Sequence, residues 1–410
     1  MREFKGHGNY SYAILFLKIL DGCKAEDLVT ELDNIWQMYA QLKKGIVANL
    51  DKCRVPDGGL SVLIGYGPEV FKIPGIKKAI PKDFAGTQFL PSINGKPILD
   101  GCGINYSEQL CQNLGVSEHI AIQFISTTQL GSYRAIVETW QHFNELPKDD
   151  HCIQFSKFFT GFQRDDGRSW LGFHDEVSNM KDEKERKDAI VIDRTSNQLK
   201  PEDFWTEGGT YMGFLRTEIN LEDWNRIGRK NQELIIGRDK RTGSPIIGVD
   251  EKGVAVIVEG YDGVDPAVFY DTKFHEHPDY LNTSKLSITK DIDVEKSRNV
   301  LIQSHIGRTR HISTIASRDP TSRRIYRQGF EFIEPISNEK MPFRVGLNFI
   351  SFQNDPRRLI FILTDPRWMG KSNFGGQHGL FNNKILSVLY SGMFFVPATE
   401  KPFPGFSLFH

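Results

Sequence analysis

The chain has 410 residues, 39% hydrophobic and 25% charged, with a formal net charge of −1 at pH 7. That length points to two domains or one double-sized domain. The balanced charge excludes the basic footprint of a nucleic-acid binder, and the longest apolar stretches, such as Ala13 to Leu20, fall far short of a membrane span.

The first residues, Met1-Arg2-Glu3-Phe4-Lys5-Gly6-His7, carry no apolar run and no twin arginine, so no signal peptide is expected. The five cysteines (Cys23, Cys53, Cys102, Cys111 and Cys152) lack CxxC spacing. The pattern argues against a disulfide framework and a structural zinc, and for reduced thiols in a cytoplasmic protein.

Tyr10 to Ile19 reads as a strand. Leu28, Leu32, Ile35, Trp36, Tyr39 and Leu42 then recur at helical spacing and mark one buried face. Leu60 to Gly67 reads as a strand, Lys77 to Asn105 as a long loop rich in glycine and proline, and His119 to Ser126 as a strand. Leu130, Tyr133, Ile136, Val137, Trp140 and Phe143 predict a second helix with its core face. The mixed-sign run Lys181 to Asp188 reads as a solvated segment.

Gly208 to Ile219 predicts a strand, followed by Asn220 as an N-cap complemented by Asp223 and a short helix through Trp224 and Ile227. Val345 to Phe352 predicts another strand, and Asn354-Asp355-Pro356 a helix start continued by Leu359, Ile360 and Leu363. Two strand and helix sets with wide separations predict an α+β fold of two ferredoxin-like units, antiparallel sheets with peripheral helices. The expected domains are 1–155 and 156–410.

Three segments carry the candidate chemistry: Gly172-Phe173-His174-Asp175-Glu176-Val177-Ser178-Asn179, Ser304-His305-Ile306-Gly307-Arg308-Thr309-Arg310-His311, and Arg324-Ile325-Tyr326-Arg327-Gln328-Gly329-Phe330. Singly, each has an ordinary reading. Asp175 fits a turn, His305 a hydrogen-bonded structural histidine, and Arg327 a salt-bridge face shared with Arg323 and Arg324.

In this order the segments resemble the dye-decolorising peroxidase family, which carries a Gly-x-x-Asp-Gly motif, a haem-ligating histidine and a following arginine. Asp175 matches the motif aspartate, His305 the proximal histidine, and Arg327 the distal arginine 22 positions after it. Gly208-Gly209-Thr210-Tyr211, the run from Gln232 to Arg238, and the run from Gly346 to Gln353 extend the similarity, with thinner matches near Leu60 to Gly67 and Phe394 to Pro397. The resemblance implies a pair of ferredoxin-like units of the dimeric α+β barrel type, with haem b in the second.

It also implies an activity: reduction of hydrogen peroxide to water at the expense of organic donors such as dyes and phenolics. His305 would supply the neutral axial imidazole and ligate the iron. An ionised Asp175 can take a proton from peroxide and return it to the far oxygen, which leaves as water. The guanidinium of Arg327 can hold the peroxide and stabilise the charge that develops as the O–O bond breaks. Glu176, Val177 and Ser178 should lie along the haem edge, and Arg310 should pair with a propionate, with Arg308 the competing candidate. One face of the strand from Val345 to Phe352 should close over the haem. Asp355 and Asp365 are candidates for the carboxylate behind the proximal histidine, although helix capping explains Asp355 as well.

Glu176 departs from the motif glycine. A second carboxylate beside Asp175 would raise its pKa; the alternative is a side chain in solvent. The first reading expects weaker peroxide cleavage at low pH than in Glu176→Gly, and equal pH–rate profiles would exclude it.

Trp205, Tyr211, Trp224, Tyr326 and Trp368 are available as electron relays but read first as core packing. His174 is a weaker base candidate than Asp175, and His275 and His277 read as a surface loop. The runner-up function is a haem-handling protein that stores haem or releases its iron; a third reading is a fold relative without haem. The family often forms dimers or larger rings, so a homo-oligomer is also expected. The tail Pro404-Gly405-Phe406-Ser407-Leu408-Phe409-His410 reads as a plain terminus ahead of a docking peptide.

Overall fold

The computed structural model describes residues 10–81 except 49, 51 and 52; 84, 92–93 and 96–97; 118–145; 152–180 except 165 and 175–178; 182–240 except 239; 247–249, 255–257, 300–301 and 304–305; 324–364 except 338–340; and 385–410. The first unit runs β1 (Ser11–Ile19), α1 (Ala25–Leu42), β2 (Ser61–Tyr66), the two-residue pair β3 (Ser92–Ile93) and β4 (Lys96–Pro97), β5 (Ile120–Ser126), α2 (Gln129–Glu145) and β6 (Ile153–Phe162). The second runs α3 (Glu183–Ile190), β7 (Thr210–Ile219), α4 (Leu221–Arg226), α5 (Gly228–Ile236), the short pair β8 (Ile247–Val249) and β9 (Ala255–Ile257), β10 (Tyr326–Pro335), β11 (Phe343–Gln353), α6 (Arg357–Thr364) and β12 (Leu386–Val396).

Each unit forms an antiparallel sheet with the ferredoxin-like order: β6-β1-β5-β2 in the first, β10-β11-β7-β12 in the second. The two sheets join at both edges into one closed eight-stranded barrel. The seams are narrow, with Phe395 paired to Tyr66 on one side and Glu331 to Phe162 on the other. Closure leaves neither four-stranded sheet with an open edge. The expected division between residues 155 and 156 falls inside β6, which is paired along its length with β1 and therefore completes the first unit.

Alternation along the strands sorts side chains to two sides. Tyr12, Ile14, Phe16, Phe214, Phe330, Ile350, Phe352 and Phe394 fill the barrel, with Tyr12 stacked on Phe330 at 4.3 Å between centroids. Met180, Ala189 and Ile190 join this cluster, so the mixed-charge run is a helix whose apolar end packs into the barrel. Asp182 caps it by accepting from Glu185 N–H. Outside the first sheet, α1 and α2 bury a separate core that also takes in Phe403, Leu408 and Phe409. The C-terminal tail is thus packed on the first unit, where Tyr66 Oη donates to the Pro404 carbonyl at 2.7 Å.

The face expected of α2 is corrected. Its core side is Gly131, Ser132, Ala135, Ile136, Thr139 and Phe143, whereas Leu130, Tyr133, Val137 and Trp140 are exposed. Polar links hold the small-residue side in place: Ser132 Oγ meets Ser11 Oγ, and Thr139 Oγ1 meets Tyr39 Oη, each at 2.7 Å. The thiol expectation is also corrected for one pair: Cys23 and Cys152 form a disulfide, while Cys53 is free and exposed.

Beside that disulfide, Glu31 on α1 is buried and accepts the Cys152 N–H at 3.0 Å. Burial pushes its carboxyl from 4.5 up to about 7, against the hydrogen bonds from Cys152 and Ile153. A carboxyl raised in this way costs nothing below pH 4.5, and its penalty grows as pH rises through the folded value. A shift of this size is worth at most roughly 3 kcal/mol. Glu31→Gln keeps an acceptor for Cys152 and is expected to gain most of that stability at pH 8 and little at pH 4.5. Urea unfolding at the two pH values measures the difference.

Candidate active site

The outward side of the second sheet carries the candidate chemistry. Arg327 lies on β10 opposite Ser351 of β11. It therefore belongs to the side facing away from Phe330 and Phe352, with Phe349 two residues before Ser351. Asn179 clamps the backbone of Arg327: its amide nitrogen donates to the Arg327 carbonyl at 2.7 Å, and its oxygen accepts the Arg327 N–H at 3.1 Å. Asn179 is itself fixed because the next residue, Met180, is buried among the barrel side chains.

The segment before Asp175 is anchored as well. His174 is buried and bridges to Arg168. Ser169 N–H donates to the Phe173 carbonyl at 2.9 Å, closing a tight turn through Gly172 at φ +85°. A side chain at Gly172 would be strained at that angle, and its Cβ would stand 2.5 Å from Lys240 Cε. The Arg168 guanidinium donates to the carbonyls of Gly172 at 2.8 Å and Lys240 at 2.7 Å. Arg168 thus ties Gly172 to the turn after α5, and Asn179 is tied to β10.

That turn delivers a residue to which the sequence alone assigned no role. Gly237 ends α5 in the left-handed conformation (φ 81°), and Arg238 follows as a buried cation. Arg238 and Arg327 both act on His305. The imidazole is pushed down to about 3, first by burial, then by Arg327, then by Arg238. The ring is therefore neutral across the physiological range and presents a lone pair. That state suits an axial ligand to haem iron. The flanking Ser304 and Leu301 are fully buried. Arg324, ion-paired with Glu185, adds a third cation whose pKa is lowered by burial and by Arg327. Two guanidinium groups acting on a neutral imidazole, with a third that acts on Arg327, suit anionic propionates and a peroxide anion.

His305 and Arg327 are thus brought into one electrostatic site. Asp175, Glu176, Val177, Ser178, Arg310, Arg308, Asp365, Trp368, His275 and His277 lie outside the described residues. Asp355 accepts from Arg357 N–H and pairs with its guanidinium at 2.7 Å, which matches the capping role at the start of α6. Trp205, Tyr211 and Trp224 pack against aromatic neighbours.

The family model described as Dyp-type peroxidase, C-terminal, matches residues 166–401. The chain belongs to the Dyp-type peroxidase family. Its fold matches other Dyp-type peroxidase structures. Ferric DtpA from Streptomyces lividans is 18% identical, with a TM-score of 0.66, covering 100% of this chain and 96% of that one. The DyP-type peroxidase from Cellulomonas bogoriensis is 18% identical, with a TM-score of 0.63, covering 98% and 94%. Among curated relatives, Deferrochelatase of Escherichia coli O157:H7 is 24% identical over 185 residues, 45% of this chain and 34% of that protein. The match thus spans about a third of the length of such relatives. Among the described residues of this Dyp-type peroxidase, no helix is long and apolar enough to cross a membrane.

Proposed function

We propose that this protein is a haem b-dependent peroxidase that reduces hydrogen peroxide to water while oxidising an organic donor such as a dye or a phenol. The observation that carries the reading is the Dyp-type peroxidase family match over residues 166–401, within which His305 lies in the field of Arg327 and Arg238. When bound, haem would supply the redox equivalents for cleaving the O–O bond. His305 would hold the haem iron through an imidazole nitrogen. Asp175 carries the peroxide proton from the near oxygen to the departing one. Arg327 orients peroxide and offsets the negative charge as the bond breaks. Glu176, Val177 and Ser178, which would help to hold the haem, and Arg310, which would offset a propionate charge, complete the proposed set.

The match to Deferrochelatase favours a second reading, a protein that stores haem or releases its iron. The cytoplasmic placement expected from reduced thiols loses that support at Cys23 and Cys152, because disulfides persist in oxidising compartments.

Absorption spectra of the purified protein and of His305→Ala, before and after one equivalent of hydrogen peroxide, test the assignment. A Soret band that His305→Ala loses or alters, and that peroxide shifts reversibly in the presence of donor, is expected. A band that peroxide only bleaches selects the haem-handling reading. No band after haem is supplied excludes both.

A further inference from the structure

The disulfide of the first unit lies beside a buried acid that the proposed chemistry does not use. Cys23 sits in the turn between β1 and α1, and Cys152 directly precedes β6. Glu31 of α1 is 6% exposed. Its Oε2 accepts the Cys152 N–H at 3.0 Å, and the carboxyl also accepts from the Ile153 N–H. Its Oε1 is buried and has no hydrogen-bond partner among the described residues. A glutamine would accept both N–H groups without the cost of burying an ionisable group. What a carboxyl adds is a proton to give or take, beside a sulfur that carries a proton only once the disulfide is reduced. On the elements around it, Asp21, Lys24 and Asp27 are exposed, Lys157 of β6 pairs with Glu118, and Arg134 of α2 acts on Glu138. Burial and the two N–H groups are what act on the Glu31 carboxyl.

We propose that Cys23 and Cys152 form a reversible thiol–disulfide exchange site, with a dithiol as its reductant and Glu31 as the proton donor and acceptor for Cys152. The attack falls on Cys23. Gly22 and Lys24 on either side of it are exposed, and a Cβ on Gly22 would meet nothing within 4 Å, so the turn is open to an incoming thiolate. The thiolate bonds to the Cys23 sulfur and the Cys23–Cys152 bond breaks. Cys152 leaves with the electron pair and takes the Glu31 proton. The reductant's other thiol, ionised to water, then attacks the reductant's sulfur in the mixed disulfide and releases Cys23, which is protonated from water. The dithiol is thereby oxidised to a disulfide, both cysteines become thiols, and Glu31 regains its proton from water. In the reverse direction the Glu31 carboxylate deprotonates the Cys152 thiol. Reduction does not separate the pair. The Leu20 N–H donates to the Cys152 carbonyl at 2.9 Å, the Cys23 N–H donates to the Leu20 carbonyl at 3.2 Å, and Ile19 pairs with Ile153. Backbone bonds thus keep both sulfurs in reach for reoxidation.

Reduction of the haem-loaded full chain by dithiothreitol, in a Cys53→Ser background, tests the site without any use of peroxide, so its failure leaves the haem reading untouched. Free thiols are trapped by alkylation and read at Cys23 and Cys152 by peptide mass. Burial pushes the Glu31 carboxyl up to about 7, so the donor is present below that pH and lost above it. The rate per dithiothreitol thiolate is expected to fall by about tenfold between about pH 6 and about pH 8.5. Glu31→Gln, which keeps the acceptor for Cys152, should react about tenfold more slowly at the lower pH and show no such fall. Glu31→Asp should restore the dependence on pH at a lower rate. On removal of the reductant, wild type should form the same disulfide again. A disulfide that dithiothreitol leaves intact in the folded chain, a wild-type rate per thiolate that is flat with pH, or a Glu31→Gln profile equal to that of wild type would overturn the proposal.

Discussion

Arg327→Ala is expected to lower the second-order rate with hydrogen peroxide by about 10² to 10³, the usual loss when one preorganised charge-stabilising donor is removed. The Soret band should remain. The reason lies in how Arg327 is held: Asn179 and Ser351 engage its strand through backbone atoms, so truncating the side chain leaves β10 in place. Arg327→Lys should recover only part of the rate, because an ammonium lacks the planar fork of a guanidinium. The same substitution carries a second readout. Arg327 is the larger of two cations that depress the His305 imidazole, so haem-free Arg327→Ala should show His305 titrating above the wild-type value by NMR. Loss of rate with an unchanged His305 titration would mean that the two side chains do not share a site. An unchanged rate would remove Arg327 from the chemistry.

Much of this arrangement was legible in the sequence where local pattern and tertiary environment agree. β1, α1, β2, β5, β7 and β11 follow their apolar patterns closely, and Asn220 caps α4 as expected, accepting the Asp223 N–H at 3.0 Å. Three features were hidden for physical reasons. β6 carries an irregularity opposite Phe16 and Leu17 that breaks its period of two, so its phenylalanines do not read as one face. The core side of α2 holds the expected Ile136 and Phe143 but otherwise small and hydroxyl-bearing residues, whereas Leu130, Tyr133, Val137 and Trp140 face outward, so periodicity draws four of the six expected residues to the wrong side. The Cys23–Cys152 disulfide joins residues 129 positions apart with no spacing signal. At the site, His305 and Arg327 could be named from motif order. Arg238 and Asn179 could not be given roles, because theirs come from contacts across the fold. The one local signal was Gly237, a glycine ending an apolar helical run, which fits a left-handed cap and a chain turned inward at Arg238.

The barrel interior and the outward site should respond differently to the loss of an arginine. Arg216 on β7 is almost fully buried on the inner side, its guanidinium 3.5 Å from the Phe332 ring centroid and 4.6 Å from that of Phe159. It donates to Asn348 Oδ1 at 2.7 Å and to Glu334 Oε2 at 2.6 Å. Burial holds its pKa down to about 10, so it remains charged at neutral pH. Arg216→Ala removes the aromatic contacts and strands the Asn348 oxygen. Breaking a buried pair from one side typically costs ~3–5 kcal/mol, and the part-exposed Glu334, which Arg344 also contacts at 3.3 Å, moves the expected loss to about 3 kcal/mol. Arg216→Met should lose less, because a flexible thioether keeps the ring contacts while forfeiting only the polar ones. Urea midpoints should therefore rank wild type, then Met, then Ala. The peroxide rate per folded, haem-loaded molecule should stay near wild type in both, since Arg216 and Arg327 lie on opposite sides of one sheet. A rate loss in Arg216→Met comparable to that in Arg327→Ala would show that the barrel interior is coupled to the chemistry.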